Sequence, residues 1–243
     1  MTEPKKDEMM RSDQVADLDP YNQRGKPKQE AARELLGDEP EVEEDENFDG
    51  PKFTQEQKVK LRDYGAEIFT LHGESINSLK EKGLKVWSNL DSSDFQLGYE
   101  GHKTEVAIRL ASNYLFLPDS NNKNYDEQAN MVTNYSLELE RKIPGIYASL
   151  GFPSDYAEIV LHCLTKRGLE LFKGTTPNGG YMYTSTAMSR SESLGSGKTD
   201  SFFISVGGMD EYGLGIHAFS ATEDISFIFA TPLIFPDSNR VNL

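Results

Sequence analysis

The stretch from Gly37 to Gly50, GDEPEVEEDENFDG, limits what this chain can fold into more than any other. It carries eight carboxylates, no base and one aromatic residue. Ordering a residue costs roughly 1–2 kcal/mol, and a segment with so little apolar surface cannot offset that. Residues 1–50 hold 16 Asp or Glu against 7 Lys or Arg, a net charge of −9 out of −15, so the other 193 residues carry only −6. The expectation is a disordered acidic arm over residues 1–52, followed by a single α+β domain over 53–243. Within the arm, Ala31, Ala32, Leu35 and Leu36 favour one short helix, Lys28–Leu36, with Gly37 as its stop. Such an arm is read first as a solvated tail that keeps copies apart. The competing reading is an interaction arm that orders on a basic partner or on neighbouring subunits.

The charge also bears on function. A generic nucleic-acid binder or a binder of anionic membranes works through basic patches, and a net charge of −15 argues against both. One cysteine excludes an intrachain disulfide and any multi-cysteine metal site. No run of 18 apolar residues and no basic-then-apolar start is present, so neither a membrane span nor a secretion signal is expected. The expected location is the cytoplasm or the inside of a particle.

From Phe53 the apolar spacing becomes helical. Thr54 and Gln57 have capping-box spacing, Leu61, Tyr64, Ile68 and Leu71 follow at 3-4-3, and Ile68, His72, Ile76 and Leu79 form a neighbouring stripe that Gly83 would end. A second helix is predicted over Lys103–Leu117, with Val106, Leu110, Tyr114 and Leu117 on one face. A third carries Tyr125, Ala129, Val132, Leu139 and Ile143 and stops at Pro144-Gly145. A fourth has Ser154 as N-cap, a face of Tyr156, Val160 and Cys163, and Gly168 at its C-terminus. After Gly168 the pattern changes to short β-prone runs: Leu169–Lys173, Tyr181–Thr186, Ser201–Val206, Leu214–Phe219, Ile225–Ala230 and Leu233–Phe235. Pro232 marks an edge strand or a bulge between the last two. The expected architecture is therefore a helical layer over about 54–167 and a mostly antiparallel sheet over about 169–236.

Several residues invite a chemical reading. Gly195-Ser196-Gly197-Lys198-Thr199 ends like a phosphate-binding loop, but Glu192 stands where the first glycine belongs and a strand follows instead of a helix, so a plain loop is expected. His72, His102, His162 and His217 are far apart and form no metal-binding spacing, so no metal site is expected. Cys163 is read as a small core hydrophobe. Trp87, Tyr99, Tyr114 and Tyr125 are read as core or interface packing, not as a base-stacking platform, since few bases lie among them.

One ordered set of segments remains. Leu169-Glu170-Leu171-Phe172-Lys173-Gly174 is followed by Tyr183-Thr184-Ser185-Thr186, then Phe202–Val206, then Gly215–Ser220, and finally Glu223-Asp224-Ile225-Ser226-Phe227. This order resembles the arginine–serine–glutamate class of ADP-ribosyltransferases over about 70 residues. The resemblance implies NAD as cofactor, with Lys173 holding a phosphate, Ser185 bracing the pocket and Glu223 stabilising the oxocarbenium charge. Lys173 stands where that class has arginine, and lysine lacks the bidentate fork. Ile225 takes the place of a second acid, which implies a weak or inactive member. The leading expectation is instead a non-enzymatic structural or assembly protein, such as a virus or phage particle component, that binds protein partners or further copies of itself without a cofactor.

Overall fold

Thr54 opens the first helix as its spacing predicts: its hydroxyl accepts from the Gln57 N–H while the Gln57 side chain accepts from the Thr54 N–H. The structure, a computed structural model, describes residues 48–88, 97–111, 114–173, 183–194 and 198–237. The acidic arm up to residue 47, its predicted helix over 28–36, and residues 195–197 of the Gly-Lys-Thr segment lie outside the described residues. Residues 48–52, assigned to the arm on composition, are anchored to the domain at two points. Phe48 is buried, and the Pro51 carbonyl accepts from the Glu105 N–H.

The described elements are α1 (Gln55–Asp63), β1 (Glu67–His72), α2 (Ile76–Glu81), β2 (Val86–Ser88), β3 (Lys103–Ile108), α3 (Tyr125–Lys142), β4 (Ile146–Ser149), α4 (Pro153–Arg167), β5 (Tyr183–Leu194), β6 (Lys198–Asp210), β7 (Gly213–Ser220), β8 (Ile228–Phe229) and β9 (Leu233–Pro236). This is an α+β fold, but helices and strands are not segregated along the chain. One sheet, in the order β1-β3-β9-β4, is antiparallel throughout. The other runs β2-β7-β6-β5-β8, with β6 antiparallel to both neighbours and the two edge strands parallel to theirs. Pro232 lies where the chain passes from β8 in one sheet to β9 in the other, and β9 is an inner strand, not an edge.

Two predicted helices are corrected. The periodic stretch from Leu61 to Leu79 is α1, β1 and α2, not one helix. Gly65, at φ +81°, ends α1 in a backbone region costly for other residues. Glu67–His72 then alternates, with Ile68 toward one core and Phe69 and Leu71 in the other. Lys103–Leu117 contains β3 instead of a helix. Val106 and Ile108 enter one core and Ala107 the other, so the strand is apolar on both faces and its run mimics a helix stripe. Leu169–Lys173 is not a strand, and Phe172 there has φ +59°.

The prediction holds for α3, which Asn124 and Glu127 close with a second capping box. It also holds for α4, whose C-terminus is Gly168 at φ +63°. The start of α4 differs: Phe152 is the N-cap and Pro153 the first helical residue, where its missing N–H costs nothing.

Helix α4 packs between the two sheets. Tyr156, Ile159, Val160 and Cys163 meet Phe69, Leu71, Val106 and Ile108 of one sheet and Ile204, Val206, Leu214 and Ile216 of the other. The far face of the first sheet is covered by Leu61 of α1 and Leu139 of α3, together with Ile143. Among the described residues no helix is long and apolar enough to cross a membrane.

Candidate functional site

Ser185, the residue expected to brace a pocket, is wholly buried on β5 and donates to Gln128 Oε1 at 2.6 Å. It belongs to a polar seam inside the core. Gln128 Nε2 donates to the Ile228 carbonyl, Thr184 Oγ1 accepts from the Thr231 N–H, and the Tyr156 hydroxyl donates to the Thr231 carbonyl at 2.6 Å. Each bond satisfies a group that would be costly to bury alone. Lys173 is exposed and pairs with Glu170. Glu223 sits in an exposed turn after β7, its N–H directed at the Ser220 carbonyl. No hydrogen bond or ion pair joins any two of Lys173, Ser185 and Glu223.

The four histidines have separate surroundings. His217 lies against Trp87, ring centres 4.3 Å apart, and burial pushes its pKa down. His162 packs edge-on to Phe69, and its pKa is lowered by burial first and then by the Arg167 charge. His72 faces Glu158 at 3.1 Å from a half-exposed position. Cys163 is buried, and burial pushes its thiol up to about 12, as suits a core residue and not a nucleophile. No cluster of three or more metal-ligating side chains occurs among the described residues.

His102 is different. Asp155, in the first turn of α4, has a side chain with no exposure and accepts three N–H groups. These are the His102 backbone N–H at 2.8 Å, the Phe152 N–H at 2.8 Å and His102 Nδ1 at 2.7 Å. The contact through Nδ1 fixes the orientation of the imidazole. The carboxylate fits because two glycines leave room: a Cβ on Gly101 would lie 2.5 Å from Asp155 Oδ1, and one on Gly151 would lie 3.1 Å from Oδ2 and 2.4 Å from Leu233 Cδ1.

The same imidazole is the middle ring of a five-ring run. Tyr99 meets Phe152 edge-on at 5.2 Å, Phe152 stacks on His102 at 4.4 Å and 5°, His102 tilts against Phe235 at 5.1 Å, and Phe235 stacks on Tyr147 at 5.3 Å. The ends are open, Tyr99 at 45% and Tyr147 at 42% exposure, so of the two expectations for Tyr99, core or interface packing, the core one is excluded. Tyr114 is likewise exposed, whereas Tyr125 stacks on Phe203 inside.

At the sheet edge beside this strip one outward backbone donor is already taken. β4 is the last strand of its sheet, but its Ala148 N–H is taken by Ser136 Oγ of α3 at 2.8 Å. Phe235 is buried at 2% exposure, so what the strip offers to solvent is its two tyrosines and the half-buried Phe152 and His102 rings.

Sequence reasoning missed the pair because His102 and Asp155 are 53 residues apart. The one local signal was an acid two residues after Pro153, the position from which a side chain reaches back to the helix start. No family model, curated protein or solved structure matches the chain.

Proposed function

We propose that this protein is a non-enzymatic assembly protein that associates with further copies of itself through the Tyr99–Phe152–His102–Phe235–Tyr147 strip. The observation that carries the reading is the unbroken ring run with both terminal tyrosines in solvent. Tyrosine gives large contact area at low entropic cost and keeps a polar end, which is why it is enriched at interfaces. The buried Asp155 contributes by fixing the central ring, so little order has to be gained on contact.

A second copy fits as occupant because each copy supplies the same apolar ring faces, and a two-fold contact needs only a self-complementary patch. Copies carrying −15 each repel at long range. Salt therefore strengthens contact through the strip, whereas it weakens an assembly held by the acidic arm on a basic surface.

Light scattering coupled to size exclusion, over a concentration and salt series, tests this. The wild-type chain should associate more as salt rises, and Tyr99→Ser with Tyr147→Ser should run as a monomer. A wild-type monomer at every concentration, or association unaffected by the two substitutions, overturns the proposal. The transferase-like alternative requires Ser185 to leave its bond to Gln128 and reach a cleft shared with Glu223. An NAD-cleavage assay with Glu223→Ala as control tests that directly.

A further inference from the structure

We infer that Arg109 is the centre of an oxyanion site that takes a phosphate group, on the opposite face of the first sheet from the aromatic strip. Arg109 follows β3 directly. The alternation that sends Ala107 to the α1–α3 side and Ile108 to the α4 side brings Arg109 back to the α1–α3 side. There its guanidinium carbon lies 3.8 Å from the ring centre of Tyr114 and 4.6 Å from that of Tyr64, the residue that caps α1.

Ring faces attract the positive charge but satisfy none of the guanidinium N–H donors. Nε is buried and has no acceptor, and no carboxylate among the described residues pairs with Arg109 in a chain that holds 40 of them. Nε itself is out of reach of solvent, so an outside acceptor meets the terminal nitrogens of the half-buried side chain, which make no hydrogen bond among the described residues.

A second cation shares the same ring. Lys142, at the end of α3, places Nζ 5.8 Å from the Tyr64 ring centre and makes no ion pair among the described residues. Tyr135 of α3 completes the group. Its phenol is held well above its ordinary pKa by burial and then by a hydrogen bond with Tyr64, so it stays a neutral hydroxyl at any physiological pH.

Both cations lie within 6 Å of the Tyr64 ring centre and favour an anion beside it. A single carboxylate would neutralise one. A phosphate dianion matches both charges, and its oxygens can take the guanidinium N–H groups in the forked geometry arginine favours. The surrounding tyrosines set the guanidinium in place before the ligand arrives, which lowers the cost of binding.

The test is thermal unfolding and phosphorus NMR of the full chain with inorganic phosphate, phenyl phosphate and acetate, at ionic strength held constant with sodium chloride. Both phosphates should raise the melting temperature in a saturable way and broaden the phosphorus signal, and acetate should not. Arg109→Gln should abolish both effects, and Lys142→Gln should weaken the apparent affinity by about tenfold, the loss of one charge-assisted contact. Because Lys142 is exposed, its variant keeps the test valid if Arg109→Gln does not fold. Whichever phosphate binds more tightly separates a free ion from an ester as the natural ligand. The assignment is overturned if wild type and Lys142→Gln respond equally, if acetate matches phosphate, or if neither phosphate has an effect. In that last case Arg109 serves packing alone.

Discussion

Replacing Asp155 with Asn tests the central pair, because it removes the charge while keeping the shape. The carboxylate accepts two backbone N–H groups and His102 Nδ1 at 2.7–2.8 Å from a side chain with no exposure. An amide offers one oxygen. If that oxygen keeps the Phe152 N–H and Nδ1, the new NH2 faces the His102 backbone N–H, donor against donor. If it flips, the Phe152 N–H is stranded instead. Either way one partly buried backbone donor loses its acceptor, at about 1–3 kcal/mol, and the bonds that survive lose their charge assistance, roughly 1 kcal/mol each. The expected destabilisation is about 3 kcal/mol. With a urea slope of about 2 kcal/mol per molar, the unfolding midpoint falls by about 1.5 M at unchanged slope. His102→Ala, which leaves both backbone donors bonded to Asp155, should cost distinctly less. A midpoint shift below about 0.3 M for Asp155→Asn, or a larger one for His102→Ala, would refute the view that the carboxylate organises this loop and helix start.

Lys58 and Glu105 form a buried ion pair at 2.8 Å, with side chains 9% and 6% exposed, and Glu105 also accepts the Phe53 N–H. Lys58→Met should destabilise by about 3–5 kcal/mol because it leaves an unpaired buried carboxylate, and adding Glu105→Leu should recover much of that in chemical unfolding. Cys163 should resist a thiol reagent at pH 8 in the folded protein and react in urea, since burial holds its pKa near 12. His162 and His217 both have folded pKa values below the ordinary 6.5, so the unfolded chain binds more protons in that window and stability falls as pH drops below about 6.5. His162→Gln with His217→Gln should flatten this slope in pH-dependent urea unfolding, and an unchanged slope would refute it.

The parts of the fold legible in the sequence were those fixed locally. The Thr54–Gln57 box, the run of α3 before Pro144-Gly145, the glycine after α4 and most of the C-terminal strands each depend on residues within a few positions of one another. Misreadings arose where tertiary burial set the pattern. In Glu67–His72 the spacing that reads as one helical stripe through Ile68 and Leu71 falls on opposite faces of a strand, Ile68 in one core and Leu71 in the other. In Lys103–Ile108 burial on both faces erases the alternation altogether. Only the sheet partner decides between the two readings, and β9, which pairs with β3 at Ala107 and Ile234, lies more than a hundred residues later.

The candidate sites were hidden for a related reason: in both, the informative quantity is which group lacks or shares a partner. A lone histidine on a loop and an aspartate in a helix have ordinary local explanations, and only the fold brings three donors onto one carboxylate. Arg109 looks from the sequence like one base among 25, and its distinction is negative, a cation that no carboxylate among the described residues answers. The two sites also differ in what they ask of a partner. The His102 strip presents rings above a carboxylate whose bonds go to His102 and the Phe152 N–H, so it suits a contact that excludes water. Arg109 and Lys142 lie against tyrosine rings with no carboxylate partner among the described residues and suit an anion. Since the first sheet separates them, substitutions at one should leave the binding at the other unchanged. A phosphate response that disappeared with Tyr99 and Tyr147 would mean that the anion acts through association of copies and not through Arg109 within one chain.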